Sequence, residues 1–260
     1  MFKKFVDNNF GLLNLSFLIL FVLNSCHKRG PDKLTIAAAA NMQFAVEELS
    51  KVFSEQSGID CEVVISSSGK LTAQIIEGAP FDLLLSADMK FPEELYRNGL
   101  TRARPLTYAY GNLILWTLKE GVEPVMESLA KESIEHIALG NPKTAPYGVS
   151  AMEVILRTGM EEKLKEKLVF GESISQTNQF IISKVADIGF TSKSVVMSAA
   201  MQGRGVWKEI DKDLYDPIEQ GIVILNNRDA FQKEAFEFRD FLLSEEGKNI
   251  LHKFGYETVK

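Results

Sequence analysis

The sequence predicts an α/β protein with largely parallel sheets, arranged as two lobes between which the chain crosses twice. Three observations predict it. From Lys33 onward, short apolar or β-branched runs alternate with stretches of helical periodicity. Two stretches, "TYAYGNLILWTL" around Tyr108 to Leu118 and "DPIEQGIVILNN" from Asp216 to Asn227, join turn formers to a strand long enough to leave one sheet and enter another. A chain of 260 residues with 45% hydrophobic content fills one large domain or two moderate ones.

The N-terminus comes first. Residues 1–26, "MFKKFVDNNFGLLNLSFLILFVLNSC", run from Lys3 and Lys4 through an apolar stretch to a cysteine. The apolar run is too short to span a bilayer and polar chain follows it, which is the form of a secretory signal. Its end, Leu23-Asn24-Ser25-Cys26, resembles a bacterial lipobox, which implies cleavage before Cys26 and acylation of that cysteine. An uncleaved anchor and plain secretion are the alternatives. "HKRGPD", broken by Gly30 and Pro31, reads as a polar tether completing residues 26–32.

The expected strands are "KLTIAAA", "DCEVVIS", "DLLLS", "NLILWTL", "HIALG", "IGFT" and "QGIVIL". Between them Phe44, Val46, Leu49 and Phe53 follow helical spacing, as do Leu71, Ile75 and Ile76, and later Val154, Ile155 and Leu156. Near the end Phe231, Ala235, Phe238 and Leu242 form the core stripe of a long helix. The crossings divide the chain into a first lobe of residues 33–110 and 222–260 and a second of residues 111–221.

Composition narrows the function. The formal charge is −6, and loss of residues 1–25 with Lys3, Lys4 and Asp7 leaves −7. No basic face is available to neutralise phosphates, so nucleic acid is not an expected partner. Cys61 has no disulfide partner if Cys26 carries lipid. His27, His136 and His252 lie at no metal-ligand spacing, and no nucleophile elbow, phosphate loop or dinucleotide fingerprint occurs. No bound cofactor and no catalytic residue is expected.

Four helix starts are built from small or hydroxyl-bearing residues: "AAAAN" at Ala37 to Asn41, "SSSGKL" at Ser66 to Leu71, "KTAPYG" at Lys143 to Gly148, and "GESISQTNQ" at Gly171 to Gln179. Unpaired N–H groups and the positive end of the helix dipole make such ends anion sites, and small side chains let an oxygen reach the amides. Asn41, Ser67, Ser68 and Ser173 are also ordinary N-cap types, and each taken alone is more often a cap than a ligand contact. Three serines followed by Gly69 exceed what one cap requires. Asn41, Ser68 and Tyr147 can donate further hydrogen bonds.

The segments "AAAANM", "SSSGKLTAQIIEGAPFDLLLSAD", "GNPKTAPYG", "SISQTNQF", "DIGFTSKS" and "LLSEEGKNILHKFGY" together resemble the ModA-type molybdate/tungstate-binding proteins of ABC importers, from Leu34 to about Tyr256. The resemblance implies a type II periplasmic-binding-protein fold, with two lobes joined by a two-segment hinge that closes over the ligand. It implies molybdate or tungstate as ligand, permease and ATPase subunits of an importer as partners, and a lipid-anchored monomer on the periplasmic or cell-surface side of a bacterial membrane. Carried over position by position, the oxyanion contacts fall on Asn41, Ser68, Tyr147 and the backbone amide of Ile174, with Ala40 and Ser67 beside them. Many members have a tyrosine where this chain has Ser192; a subgroup instead has asparagine at the first position and tyrosine at the third, as here. Asn41 is expected to cap its helix and offer its side-chain amide, in a site of donors alone. Glu172 is expected to face solvent. The alternatives are a receptor for sulfate or another tetrahedral oxyanion, and, from another class, a secreted hydrolase or transferase, which would need a partnered base that these loops lack.

Overall fold

The computed structural model describes residues 33–259; the signal segment 1–25, Cys26 and the tether 26–32 lie outside the described residues. Strand β1 (Leu34–Ala39) sits between β2 (Cys61–Ser66) and β3 (Leu83–Ser86), and all three run parallel. Their connections are α1 (Gln43–Ser57) and α2 (Ser68–Ile76). Both faces of β1 are covered. Ile36 and Ala38 pack into a core with Val46, Leu49 and Phe53 of α1, while Ala37 joins Leu71 and Ile75 of α2 on the opposite face. A strand buried on both faces has no solvent side, so it reads as a near-continuous apolar run, broken here only by the half-buried Thr35, rather than an alternation. Gly58, at φ 73°, ends α1 in the left-handed conformation that a helix C-terminus favours.

The first sheet continues with antiparallel neighbours, β10 (Ile218–Ile224) beside β3, then β4 (Leu106–Gly111), then β11 (Glu257–Thr258). The second sheet has the order β7 (Leu168–Gly171), β6 (Ile137–Gly140), β8 (Ile188–Ser192), β5 (Leu113–Thr117), β9 (Val206–Glu209). It is parallel where β6 meets β7 and β8 and antiparallel where β5 meets β8 and β9. Both sheets are therefore mixed, which corrects the expectation of largely parallel sheets: strands are parallel where helices make the crossovers and antiparallel where the chain passes between sheets.

Further long helices flank these sheets: α3 (Lys90–Arg97), α4 (Pro146–Arg157), α5 (Ile174–Ile182), α6 (Gln232–Leu243) and α7 (Glu245–Lys253). All seven expected strands occur. Four more, β4, β7, β9 and β11, were not separate expectations: β9 is exposed along its length and β11 has two residues, so neither carries an apolar signal.

The chain leaves the first sheet at Gly111 and enters the second at Leu113. It returns earlier than residue 222. Ile218 already pairs with Gly111, and all of β10 lies in the first sheet. The irregular segment through Asp216 and Pro217 makes the crossing, and the register of the strand shifts between Gln220 and Gly221. No helix among the described residues is long and apolar enough to cross a membrane.

Candidate functional site

Four helix starts from the two lobes converge. The chain of β1 runs into a short 3-10 turn, Ala40–Met42, and then α1. Ser67 and Ser68 open α2, Pro146 and Tyr147 open α4, and Ile174 opens α5. Ala40, Asn41, Ser67, Ser68, Tyr147 and Ile174 line one cavity, with Ala39, Ala87, Ala145 and Pro146 completing the wall. The space is small, about 10 Å³ for the centre of a water-sized sphere. None of the lining residues is charged. First-turn N–H groups have no acceptor within their own helix, and those of Ser68, Tyr147 and Ile174 find no other backbone acceptor among the described residues. The helix dipoles add positive potential at the same place.

Individual side chains behave differently from their sequence expectations. Asn41 lies inside the 3-10 turn and caps nothing. Its Nδ2 donates to Gln220 Oε1 at 2.8 Å and to the Tyr256 hydroxyl at 2.9 Å. Its Oδ1 is buried without a partner. Gln220 fixes that orientation, because its own Nε2 faces two carbonyl oxygens, of Ala87 at 3.3 Å and Ile218 at 3.2 Å. Turning either amide over would set oxygen against oxygen. The lining thus carries an acceptor as well as donors, which corrects the expectation of donors alone and of an offered Asn41 amide.

Ser67 occupies an N-cap position yet makes no capping bond, and its Oγ is buried and unpartnered in the cavity wall. Ser173, by contrast, caps α5 by accepting from the Gln176 N–H at 3.3 Å. Ser68 Oγ accepts from the Ala87 N–H at 3.0 Å, which leaves its own proton to donate. The Tyr147 hydroxyl lies within hydrogen-bond distance of Ser192 Oγ, 3.0 Å away. Burial, with the neighbouring Tyr256 hydroxyl adding to it, holds the Tyr147 hydroxyl well above the ordinary tyrosine range, so it stays neutral. Ser192 and Tyr147 are in contact, so a serine at the one position leaves room for the tyrosine at the other.

The lobes are closed on each other. The Gly69 N–H donates to the Thr144 carbonyl at 3.0 Å, and a Cβ on Gly69 would stand 2.9 Å from Thr144 Cα. The glycine after the three serines is therefore what lets the two backbones meet. Ser175 Oγ donates to Gln43 Oε1 at 3.1 Å, and Ser194 Oγ, from the second lobe, donates to the Asn41 carbonyl at 2.6 Å. At the surface, Lys70 pairs with Glu172 at 3.1 Å. Glu172 is exposed, and its hydrogen bonds to Lys70 and Asn141 lower its pKa.

Sequence reading did not single out Gln220, Tyr256 or Ser194. Gln220 had only a weak signal, a polar residue beside Glu219 at the head of the apolar run of residues 222–224, and its full burial is visible only in the fold. Tyr256 had none, because its neighbours are brought to it only by the chain's last turn. No group of three histidine, cysteine, aspartate or glutamate side chains that could hold a metal ion occurs among the described residues.

The sequence profile of the bacterial extracellular solute-binding proteins matches residues 34–257. The molybdate-binding protein ModA of Rhodobacter capsulatus is 36% identical over 223 residues, covering 85% of this chain and 87% of its own. The ModA protein of Azotobacter vinelandii is 34% identical over 250 residues, covering 95% and 98%. The solved structure of the Azotobacter vinelandii periplasmic molybdate-binding protein has a TM-score of 0.83 at 32% identity, covering 88% of this chain and all, 100%, of that one.

Proposed function

The chain belongs to the bacterial extracellular solute-binding proteins, and on that premise we propose that it captures molybdate or tungstate outside the cytoplasmic membrane and delivers the anion to the permease and ATPase subunits of an ABC importer. The observation that carries this reading is the closed cavity, in which four helix starts and no charged side chain meet. Backbone N–H groups and hydroxyls at fixed positions suit a tetrahedral dianion, whereas a buried lysine or arginine would pair with almost any anion. The lining holds neither histidine nor carboxylate, so nothing there could act as a general base. One chain supplies the whole wall, and the working unit is a monomer.

Within this reading Asn41 acts through its backbone, at the start of its helix, while Ser67, Ser68 and Tyr147 contribute hydroxyls and Ile174 and Ala40 contribute N–H groups. Calorimetric titration with molybdate, tungstate, sulfate and phosphate tests it. Binding of the first two supports the proposal; heat from sulfate alone makes the chain a sulfate receptor, and heat from none overturns the assignment. Tyr147→Phe removes one hydroxyl beside a charged ligand and is expected to weaken molybdate binding by about 0.5–3 kcal/mol. The same titration checks it, and an unchanged affinity would show that Tyr147 only shapes the cavity.

Cys26 is the proposed lipid attachment site. Two lipid signals already hold a protein firmly at a membrane. Cys26→Ser is expected to move the protein from the membrane fraction to the soluble one on cell fractionation, and retention in the membrane would refute acylation there.

A further inference from the structure

Gly111, the last residue of β4, is not a glycine by conformational need. Its φ lies outside the positive region that the glycines of this chain's turns adopt. What it lacks is space. A Cβ built there would stand 2.0 Å from the Tyr147 hydroxyl oxygen, 3.0 Å from Tyr147 Cζ and 2.9 Å from Gln220 Nε2. The volume of the absent side chain is the volume the hydroxyl occupies. Gln220 closes the same space from β10, at the point where the register of β10 against β4 shifts, and it is fully buried. Tyr147 comes from the second lobe, whereas Gly111 and Gln220 belong to the first sheet. The hydroxyl can fill this space only with the lobes together.

We propose that Gly111 is a positioning residue: with Gln220 it forms a socket at the hinge that receives the Tyr147 hydroxyl as the lobes close. The proposal rests on the molybdate reading only for its binding readout. The socket acts through Tyr147, which stands at the start of α4 and in the cavity wall. Interiors packed at crystal-like density transmit such a displacement rather than absorb it. A cavity that leaves the centre of a water-sized sphere only about 10 Å³ has little slack to take it up. Closure at the hinge and the position of one wall of the anion cavity are thus set by the same steric contact.

The test is a double-mutant cycle on the full chain, with molybdate affinity and the unliganded melting midpoint both measured. Gly111→Ala is expected to weaken molybdate binding on the order of 30-fold through overpacking. In a Tyr147→Phe background, where the oxygen at 2.0 Å is gone and the ring carbon at 3.0 Å and the flexible Gln220 Nε2 at 2.9 Å remain, the same substitution is expected to cost under about threefold. Equal losses in both backgrounds, or no loss in either, overturn the proposal, since the glycine would then serve something other than the hydroxyl. If Gly111→Ala alone does not fold, recovery of folding in the double variant supports the socket, and failure of both refutes it. If the wild-type chain gives no heat with molybdate, the functional reading falls on its own. Closure is then read by small-angle scattering, where a larger radius of gyration for Gly111→Ala than for wild type supports the socket and equal radii overturn it.

Discussion

Gly148→Ala is expected to destabilise the second lobe by roughly 4 kcal/mol or more and to abolish anion binding. Gly148 is the third residue of α4, where the helix start is pressed against the end of β6. A Cβ there would stand 2.1 Å from the Gly140 carbonyl oxygen, 2.6 Å from its carbon and 3.1 Å from the Asn141 carbonyl carbon. Overpacking a core commonly costs about 1–3 kcal/mol because flexible side chains give way. Here every atom met is backbone, held by the β6 ladder to β7 and β8. The helix must therefore shift or the lobe must loosen, and a shift takes Tyr147 out of the cavity wall. Urea denaturation gives the stability and titration gives the affinity. A variant matching wild type in both would show that the contact is softer than its geometry.

Excess molybdate or tungstate is expected to stabilise the folded chain by about 2.7 kcal/mol at 100 times the dissociation constant, because only the closed form assembles all four helix starts. The two anions are fully deprotonated tetrahedra of nearly equal size, so donors placed for one serve the other. Sulfate carries the same charge on shorter bonds, and helix ends fixed by two sheets cannot all close on it. Phosphate is the case the structure changes. On a wall of donors alone its proton would face no acceptor, which costs about 1–3 kcal/mol. The unpartnered Asn41 Oδ1 supplies an acceptor. Phosphate is therefore expected beside sulfate rather than far below it, with both well under molybdate. Melting curves at fixed pH in each anion decide the order, and curves unmoved by molybdate and tungstate would remove the basis for the functional proposal.

Much of this molecule was legible in its sequence because the signals are local. The apolar run of "LTIAAA", the stripe of Phe44, Val46, Leu49 and Phe53, and the small residues before α2, α4 and α5 follow from periodicity and helix-end chemistry, which need only neighbours along the chain. Local pattern was therefore enough for the strands buried on both faces, for helices α1, α2, α4 and α6, and for the four helix starts. It could not place β9 or β11, whose hydrogen bonds come from partner strands rather than from apolar pattern. Convergence of the four starts, expected only from family resemblance, is a property of the two sheets together. Tertiary structure alone decided which way the Asn41 amide faces, since Gln220 and Tyr256 lie 179 and 215 residues further on. It also decided that Ser67 leaves its helix uncapped, and that Gly69, Gly111 and Gly148 are glycines for the room they leave to Thr144, Tyr147 and Gly140. A hydrogen bond's direction and a missing Cβ take their meaning from atoms that are near in space, and only the closed fold brings those atoms there.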